Sequence, residues 1–273
     1  MRTVKTTAQL RAAVSAWHKA GETVALVPTM GALHAGHLAL LAAGRAAAGR
    51  TVVSIFVNPA QFGPTEDFAR YPRRHAADAA MLAEAGCDLL FAPATQDIYP
   101  PGFATVVRVG GLGDVLDGAS RPGHFDGVAT VVARLLSLAC ADVAVFGEKD
   151  WQQLQIVRRL TTDLALHTAI VGVPTMRDPD GLALSSRNQY LSADERAVAP
   201  LLHAALVEAA EGARHERPDA LTVARARFDG ANFRLDYLML CDAETLAPTV
   251  RPPGRLLAAA WLGNTRLIDN VAV

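Results

Sequence analysis

Short runs of aliphatic and β-branched residues recur along the first 175 positions, each followed by a stretch with helical character. TVALVP (23–28), TVVSIFV (51–57), DLLFA (88–92), DVAVF (142–146) and AIVGV (169–173) are the runs. Residues 36–48, 76–85, about 127–139 and 150–160 are predicted helices between or after them, and Thr105–Val109 is predicted as a further edge strand. Strands that are apolar throughout, rather than at every second residue, belong in a sheet covered on both faces. Helical crossovers between parallel strands supply that cover with right-handed connections. The expected fold class is therefore α/β, a Rossmann-like doubly wound parallel sheet.

The last hundred residues have a different rhythm. Ser192 with Glu195 three positions on forms a capping-box pattern, opening a helix predicted to run to about Gly212. A shorter helix follows near 219–228, then strands at 234–241, 255–262 and 265–271. Helices followed by strands indicate a second, smaller α+β domain at the C-terminus. The boundary is placed near Thr175, giving residues 1–175 as the ligand-binding domain and 176–273 as a lid.

Composition removes several function classes. The net charge is −1 and no block of like charge occurs; the pairs Arg73–Arg74 and Arg158–Arg159 are isolated. A nucleic-acid backbone needs a cationic face, so a nucleic-acid partner is not expected. Cys87, Cys140 and Cys241 are scattered, without a C-x-x-C motif, as expected of reduced thiols. The longest apolar stretch, 128–146, is broken by Arg134 and Asp142, short of the roughly 20 apolar residues that span a bilayer. Met1–Leu10 lacks the apolar segment of a signal peptide. No membrane association and a cytoplasmic location are expected.

Three polar segments sit where predicted strands end. The first is PTMGALHAGH (28–37), at the end of a strand and the start of a helix. Ligands of open α/β sheets bind at the carboxyl ends of strands, and a helix N-terminus presents free N–H groups to a phosphate. Gly31 and Gly36 allow close backbone approach, and His34 and His37 share one face of the first turn. The H-x-G-H pattern is that of Rossmann-like nucleotidyl-transferring enzymes, which act at the α-phosphate of ATP. The second segment, Gly147-Glu148-Lys149-Asp150, also follows a strand and offers a lysine point charge. The third, DGLALSSRN (180–188), is a donor-rich loop at the domain junction, placed to close over a ligand. A fourth, FVNPAQF (56–62), puts an amide beside aromatics; Gln61 and Gln153 are suited to a small hydroxy acid whose methyl groups Phe62 would cover.

Taken in order, LVPTMGALHAGH (26–37), SIFVNPAQF (54–62), YPR (71–73), GASRPGHFDGV (118–128), FGEKDWQQL (146–154), DGLALSSRNQYL (180–191) and WLGNTRLIDN (261–270) resemble the pantoate–β-alanine ligase family over nearly the whole chain. Residues 205–250 match least. Two small departures, Ala60 after Asn-Pro and Leu184 where some members have Met, remove no polar group.

The resemblance implies condensation of (R)-pantoate with β-alanine through a pantoyl-adenylate, releasing AMP and pyrophosphate, with ATP and Mg²⁺ and as a homodimer. It implies an ATP site made by Met30, Gly31, Ala32, Leu33, His34, Ala35, Gly36 and His37. Gly147, Glu148, Lys149, Asp150, Met176, Leu184, Ser185, Ser186 and Arg187 would complete that site. His37 is the assigned catalytic acid; His34, Lys149, Ser185, Ser186 and Arg187 assist it. Gln61 and Gln153 would bind substrate, with Asn58, Tyr71 and Arg121 as further contacts. No residue is assigned to the metal; Asp78 is the one candidate considered. A nucleotidylyltransferase that transfers AMP to a phosphorylated acceptor is the nearest alternative. An aminoacyl-tRNA synthetase and a nucleotide-sensing module stand further off.

Overall fold

Six parallel strands form the central sheet: β1 (Arg2–Val4), β2 (Val24–Thr29), β3 (Arg50–Ile55), β4 (Leu89–Phe91), β5 (Val143–Gly147) and β6 (Ala169–Val173). They lie in the order β1-β4-β3-β2-β5-β6. The structure, a computed structural model, describes residues 1–64, 66–250 and 252–273. Five helices make the main crossovers: α1 (Thr7–Lys19), α2 (Ala35–Ala47), α3 (His75–Glu84), α6 (His124–Ala139) and α7 (Trp151–Asp163). The single-turn α4 (Thr95–Ile98) and α5 (Asp117–Ser120) interrupt the long connection from β4 to β5.

The uninterrupted apolar strands are explained by the two faces they cover. Val24, Leu26, Val52, Leu89 and Phe91 pack with buried residues of α1, α6 and α7. The intervening Val27, Val53, Ile55, Leu90 and Val145 pack with Leu41 of α2 and Leu82 of α3. Successive strand residues point to opposite faces, and both faces are dry. Each such side chain contributes about 1.5–3 kcal/mol on burial, so the sheet tolerates few polar residues.

Three sequence expectations need correction. β1 and α1 were not expected; β1 has three residues, and the buried stripe of α1 is only Leu10, Ala13 and Val14. Residues 105–109 form no strand. The Val107 amide instead donates to Thr130 Oγ1 at 2.9 Å, so the segment is tied to α6 rather than to a ladder. The helix expected from 192 to 212 is two helices, α8 (Ala193–Val198) and α9 (Leu201–Arg214). The capping box is present, with Ser192 and Glu195 bonding each other's amides. Pro200, which has no N–H to continue the ladder, stands at the break.

The C-terminal part adds α10 (Ala220–Gly230) and an antiparallel sheet of β7 (Phe233–Cys241), β8 (Arg255–Leu262) and β9 (Thr265–Ala272), in that order. Its own core packs Leu202, Leu206 and Phe228 against Leu238, Leu240 and Leu256. The fold is thus a doubly wound α/β domain followed by a smaller α+β domain. A small apolar cluster of Leu116, Cys241, Leu246 and Leu257, with Trp151 against it, joins the two. Among the described residues no helix is long and apolar enough to cross a membrane.

Candidate active site

β2 pairs with β3 on one side and β5 on the other. The chain runs outward from β2 to β3 and β4 and returns to its opposite side as β5. The carboxyl ends of β2 and β5 therefore flank the switch point of the sheet, where open α/β sheets bind ligands. The loop after β2 carries the H-x-G-H segment, and the turn after β5 carries Lys149.

Asp78 organises the first loop. Its side chain is buried, and its two oxygens accept from the amides of Ala32 and Leu33, each at 2.9 Å. Gly31 makes the approach possible: its φ is +85°, and a Cβ there would stand 3.0 Å from Asp78 Oδ2. Asp78 thus spends one lone pair of each oxygen on a backbone donor and holds the shape of the loop.

His34 caps α2. Its Nδ1 accepts from the Gly36 amide at 3.2 Å, and His37 Nδ1 accepts from the His34 amide at 3.3 Å. Both Nδ1 atoms are acceptors, so in each neutral ring the proton sits on Nε2, the donor left for a ligand. The rings are 4.1 Å apart between centroids. Burial, then the charge of Lys149, lowers His34 to about 4. Burial, then His34 and Lys149, lowers His37 to about 3. At neutral pH the pair forms two neutral N–H donors, and His37 is no proton-bearing imidazolium in the free protein.

Lys149 lies in a single 3-10 turn, Glu148–Asp150, between β5 and α7. Burial lowers its amine from the ordinary lysine value, opposed by the carboxylates of Asp150 and Asp269. Across the cleft, Ser185 caps the short 3-10 helix Ser186–Tyr190 by accepting from the Arg187 amide. The Ser186 hydroxyl lies 3.1 Å from that of Tyr71. Arg187 is bound in a two-point fork by Asp67 and stacks over Tyr71. Burial works against both charges, yet the pairing holds Asp67 below its usual range and Arg187 above its own.

Beside the histidines lies a cavity of about 240 Å³ that includes Gln61 and Gln153. Asn58 is buried and fully engaged. Its Nδ2 donates to Gln61 Oε1 at 3.0 Å and to Gly127 O at 3.1 Å, while its Oδ1 accepts from Tyr99 Oη at 2.7 Å. It orients Gln61 and has no capacity left for a ligand through Nδ2. Gly127 lets α6 abut this turn, since a Cβ would lie 2.2 Å from Ala60 O. Arg121 is likewise engaged, by Glu66 through Nε and Nη2, each at 2.7 Å.

Sequence reading missed two contributors. His124 Nδ1 donates to the Gln61 carbonyl at 2.8 Å and its Nε2 accepts from Arg121; burial, then Arg121, lowers it to about 4. The apolar wall is made by Phe56 with Val128, Val131 and Val132 of α6. Phe62 instead packs edge-on against Phe68 and Tyr71. The valines recur at helical spacing, which in sequence is indistinguishable from a core stripe.

A second cavity, of about 720 Å³, opens between the two domains and shares Lys149, Asp150, Gln153, Ser185 and Arg187 with the first. Met176, 44% exposed, stands at the edge of the smaller cavity, and its carbonyl accepts from the Leu184 amide. The structure therefore gathers H-x-G-H, the Lys149 turn, the Ser185–Arg187 loop and Gln61 around one cleft. Asn58, Tyr71 and Arg121 also line the smaller cavity, where their side chains bond Gln61, Ser186 and Glu66 respectively.

Known proteins of the same build bear out the resemblance. The chain is 54% identical to the pantothenate synthetase of Paramagnetospirillum magneticum over 275 aligned residues, covering 99% of this chain and 97% of that one. It superposes on the crystal structure of pantothenate synthetase from Thermus thermophilus with a TM-score of 0.95 at 50% identity, covering 100% and 99% of the two chains. The pantoate-beta-alanine ligase of Francisella tularensis, crystallised in complex with beta-gamma ATP and beta-alanine, matches with a TM-score of 0.86 at 32% identity, covering 100% and 97%. Residues 2–272 match the family model of pantoate-beta-alanine ligase, and the chain belongs to that family.

Proposed function

We propose that the protein joins (R)-pantoate to β-alanine at the expense of ATP, with the smaller cavity as the pantoate site and the cleft mouth as the nucleotide site. The observation that carries this is the meeting of α2's N-terminus, Lys149 and Arg187 around a pocket walled by valines and two glutamines. Pantoate is a small carboxylate with geminal methyl groups and two hydroxyls. Gln61 and Gln153 suit the hydroxyls and carboxylate; Val128, Val131 and Val132 suit the methyl groups. A phosphorylated acceptor, which the alternative nucleotidylyltransferase reading requires, would meet that apolar wall instead.

In the first half-reaction a carboxylate oxygen of pantoate attacks the α-phosphorus. A new P–O bond forms as the bond to pyrophosphate breaks. Negative charge spreads over the phosphate oxygens, and donors already in place stabilise it without reorganising. His34 and His37 contribute neutral Nε2–H groups, Lys149 its ammonium, Ser186 its hydroxyl and Arg187 the guanidinium edge not used by Asp67. Ser185 holds the loop that carries the last two. The nucleotide lies along Met30–His37 and Gly147–Asp150, with Met176 and Leu184 against the base. Mg²⁺ entering with ATP would neutralise part of the phosphate charge beside Lys149 and Arg187.

In the second half-reaction the β-alanine amine attacks the acyl carbon, the bond to AMP breaks, and the amine gives up a proton as the amide forms. We assign residues 1–175 to binding ATP and pantoate and residues 176–273 to a lid whose 185–187 loop keeps water from the adenylate. The protein works as a cytoplasmic homodimer in this reading.

The test is pyrophosphate release from ATP, Mg²⁺ and pantoate, with and without β-alanine, with the acyl product identified. Sustained release that needs both substrates and yields pantothenate and AMP supports the reading. Multiple-turnover release that ignores β-alanine and accumulates an adenylylated product refutes it. Gln61→Ala should raise KM for pantoate with a small effect on KM for ATP; unchanged pantoate kinetics would remove Gln61 from that site.

A further inference from the structure

Two adjacent residues of β9 reach the two phosphate-side loops from the C-terminal domain. Asn270 Nδ2 donates to the carbonyls of Glu148 and Lys149, at 3.0 and 2.9 Å. The orientation of its amide is determined by Arg255, whose Nε donates to Asn270 Oδ1 at 2.6 Å. Arg255 is anchored in turn by Glu148 and by stacking 3.7 Å from the centroid of Trp151. The β5–β6 ladder ends at Gly147, so beyond it the turn that carries Lys149 takes these bonds from a strand of the other domain.

Asp269 serves the other loop. It is 3% exposed and accepts from Arg177 Nη1 at 2.6 Å and Nη2 at 2.8 Å. Arg177 Nη1 also donates to Gly181 O at 3.1 Å. Arg177 and Gly181 belong to the hairpin closed by Asp178 N to Leu182 O and Leu184 N to Met176 O. That hairpin leads directly into Ser185, Ser186 and Arg187. The backbone amide of Asn270 donates to Asp269 Oδ1 at 2.7 Å, so the two side chains are not independently placed.

We propose that Asp269 and Asn270 are paired positioning residues for the adenylating step, setting the separation between Lys149 and the Ser185–Arg187 loop. The inference rests on the ligase reading above. Neighbouring strand residues point to opposite sides, so one rigid dipeptide serves two loops from two domains. Charge stabilisation of a phosphoryl transfer depends on donors being placed to within a fraction of an ångström, and misplacement of about 1 Å can cost on the order of 100-fold. The β-alanine step, in which the acyl carbon is attacked, depends less on the triphosphate-side donors.

The experiment compares two half-reactions in the full-length enzyme. One is single-turnover pyrophosphate release from ATP and pantoate; the other is capture by β-alanine of chemically prepared pantoyl-adenylate. The variants are Asn270→Asp, which keeps the acceptor for Arg255 and loses both donors, and Asp269→Asn, which keeps the size and loses the charge. Asn270→Ser replaces the first if it does not fold. Leu206→Ala in the C-terminal core is the control for lowered stability alone, expected to melt earlier with both half-reactions at the wild-type rate.

Measured where circular dichroism shows the variants folded, adenylation should fall ~30-fold or more while adenylate capture falls only a few-fold. Wild-type adenylation in folded Asn270→Asp and Asp269→Asn overturns the proposal. So does an equal loss of both half-reactions. A wild-type enzyme that releases no pyrophosphate from ATP and pantoate sinks the ligase reading itself, and this inference with it.

Discussion

Arg187 is gripped by Asp67 through two hydrogen bonds of 2.9 Å, from Nε to Oδ2 and from Nη2 to Oδ1. The pair joins the loop after the domain junction to the segment that follows Gln61, so the cleft has a closed side before any ligand binds. A guanidinium has five donor hydrogens in a planar fork; two go to Asp67 and the rest remain for a phosphate. Lysine cannot reproduce that double commitment. Arg187→Lys should lower kcat for pyrophosphate release ~100-fold, and Asp67→Asn should raise KM for ATP by weakening the hold on Arg187. Steady-state kinetics on both variants checks this, and a fully active Arg187→Lys enzyme would refute it.

Lys149 and His37 are expected to act on the same developing charge from the ends of two neighbouring strands. Lys149→Ala and His37→Ala should each lose ~100-fold or more in turnover while remaining folded by circular dichroism; His37→Ala also removes the acceptor for the His34 amide and should melt somewhat earlier. Near-normal turnover in either would contradict the role given to that side chain.

Asp78 supports the loop through the amides of Ala32 and Leu33, and that structural role is the one expected to show on substitution. Asp78→Ala leaves two buried amide donors, those of Ala32 and Leu33, without partners. Each unsatisfied donor costs about 1–3 kcal/mol. Urea denaturation should show a lower midpoint, larger for Asp78→Ala than for Asp78→Asn, which retains one acceptor. The Mg²⁺ concentration giving half-maximal rate should be the same in Asp78→Asn as in wild type; a marked increase would support the metal-ligand role.

Three histidines are held neutral in the folded chain, His37 at about 3 and His34 and His124 at about 4. Their ordinary value near 6.5 applies once the chain unfolds. Between pH 6.5 and 4 the unfolded state therefore binds more protons than the folded one, and stability rises with pH across that window. The melting temperature should fall steadily on acidification from pH 7 to 4.5. His124→Gln should flatten part of that slope, and a profile level over the window would show that these rings titrate normally. Burial of Lys149 acts at the other end: its amine lies below the ordinary lysine value, so the alkaline limb of kcat should set in earlier than an exposed lysine would give.

Most of the order of strands and helices was legible because burial on both faces marks the central strands β2 to β5; the three-residue β1, buried only at Val4, and α1, with its narrow buried stripe, carry too weak a pattern. Val24 to Val27 and Leu89 to Phe91 are apolar without a gap, as two dry faces demand. H-x-G-H and the Lys149 turn were legible for a related reason, since local sequence places each at a strand end. What a linear pattern could not carry was contact across the chain. Asp78 is 46 positions from Ala32, Asp67 is 120 from Arg187, and Asn270 is 121 from Lys149; which carboxylate meets which donor depends on how helices and domains pack. The same holds for α6, whose valines follow the period of any buried helix and become a substrate wall only because the switch point of the sheet opens beside them.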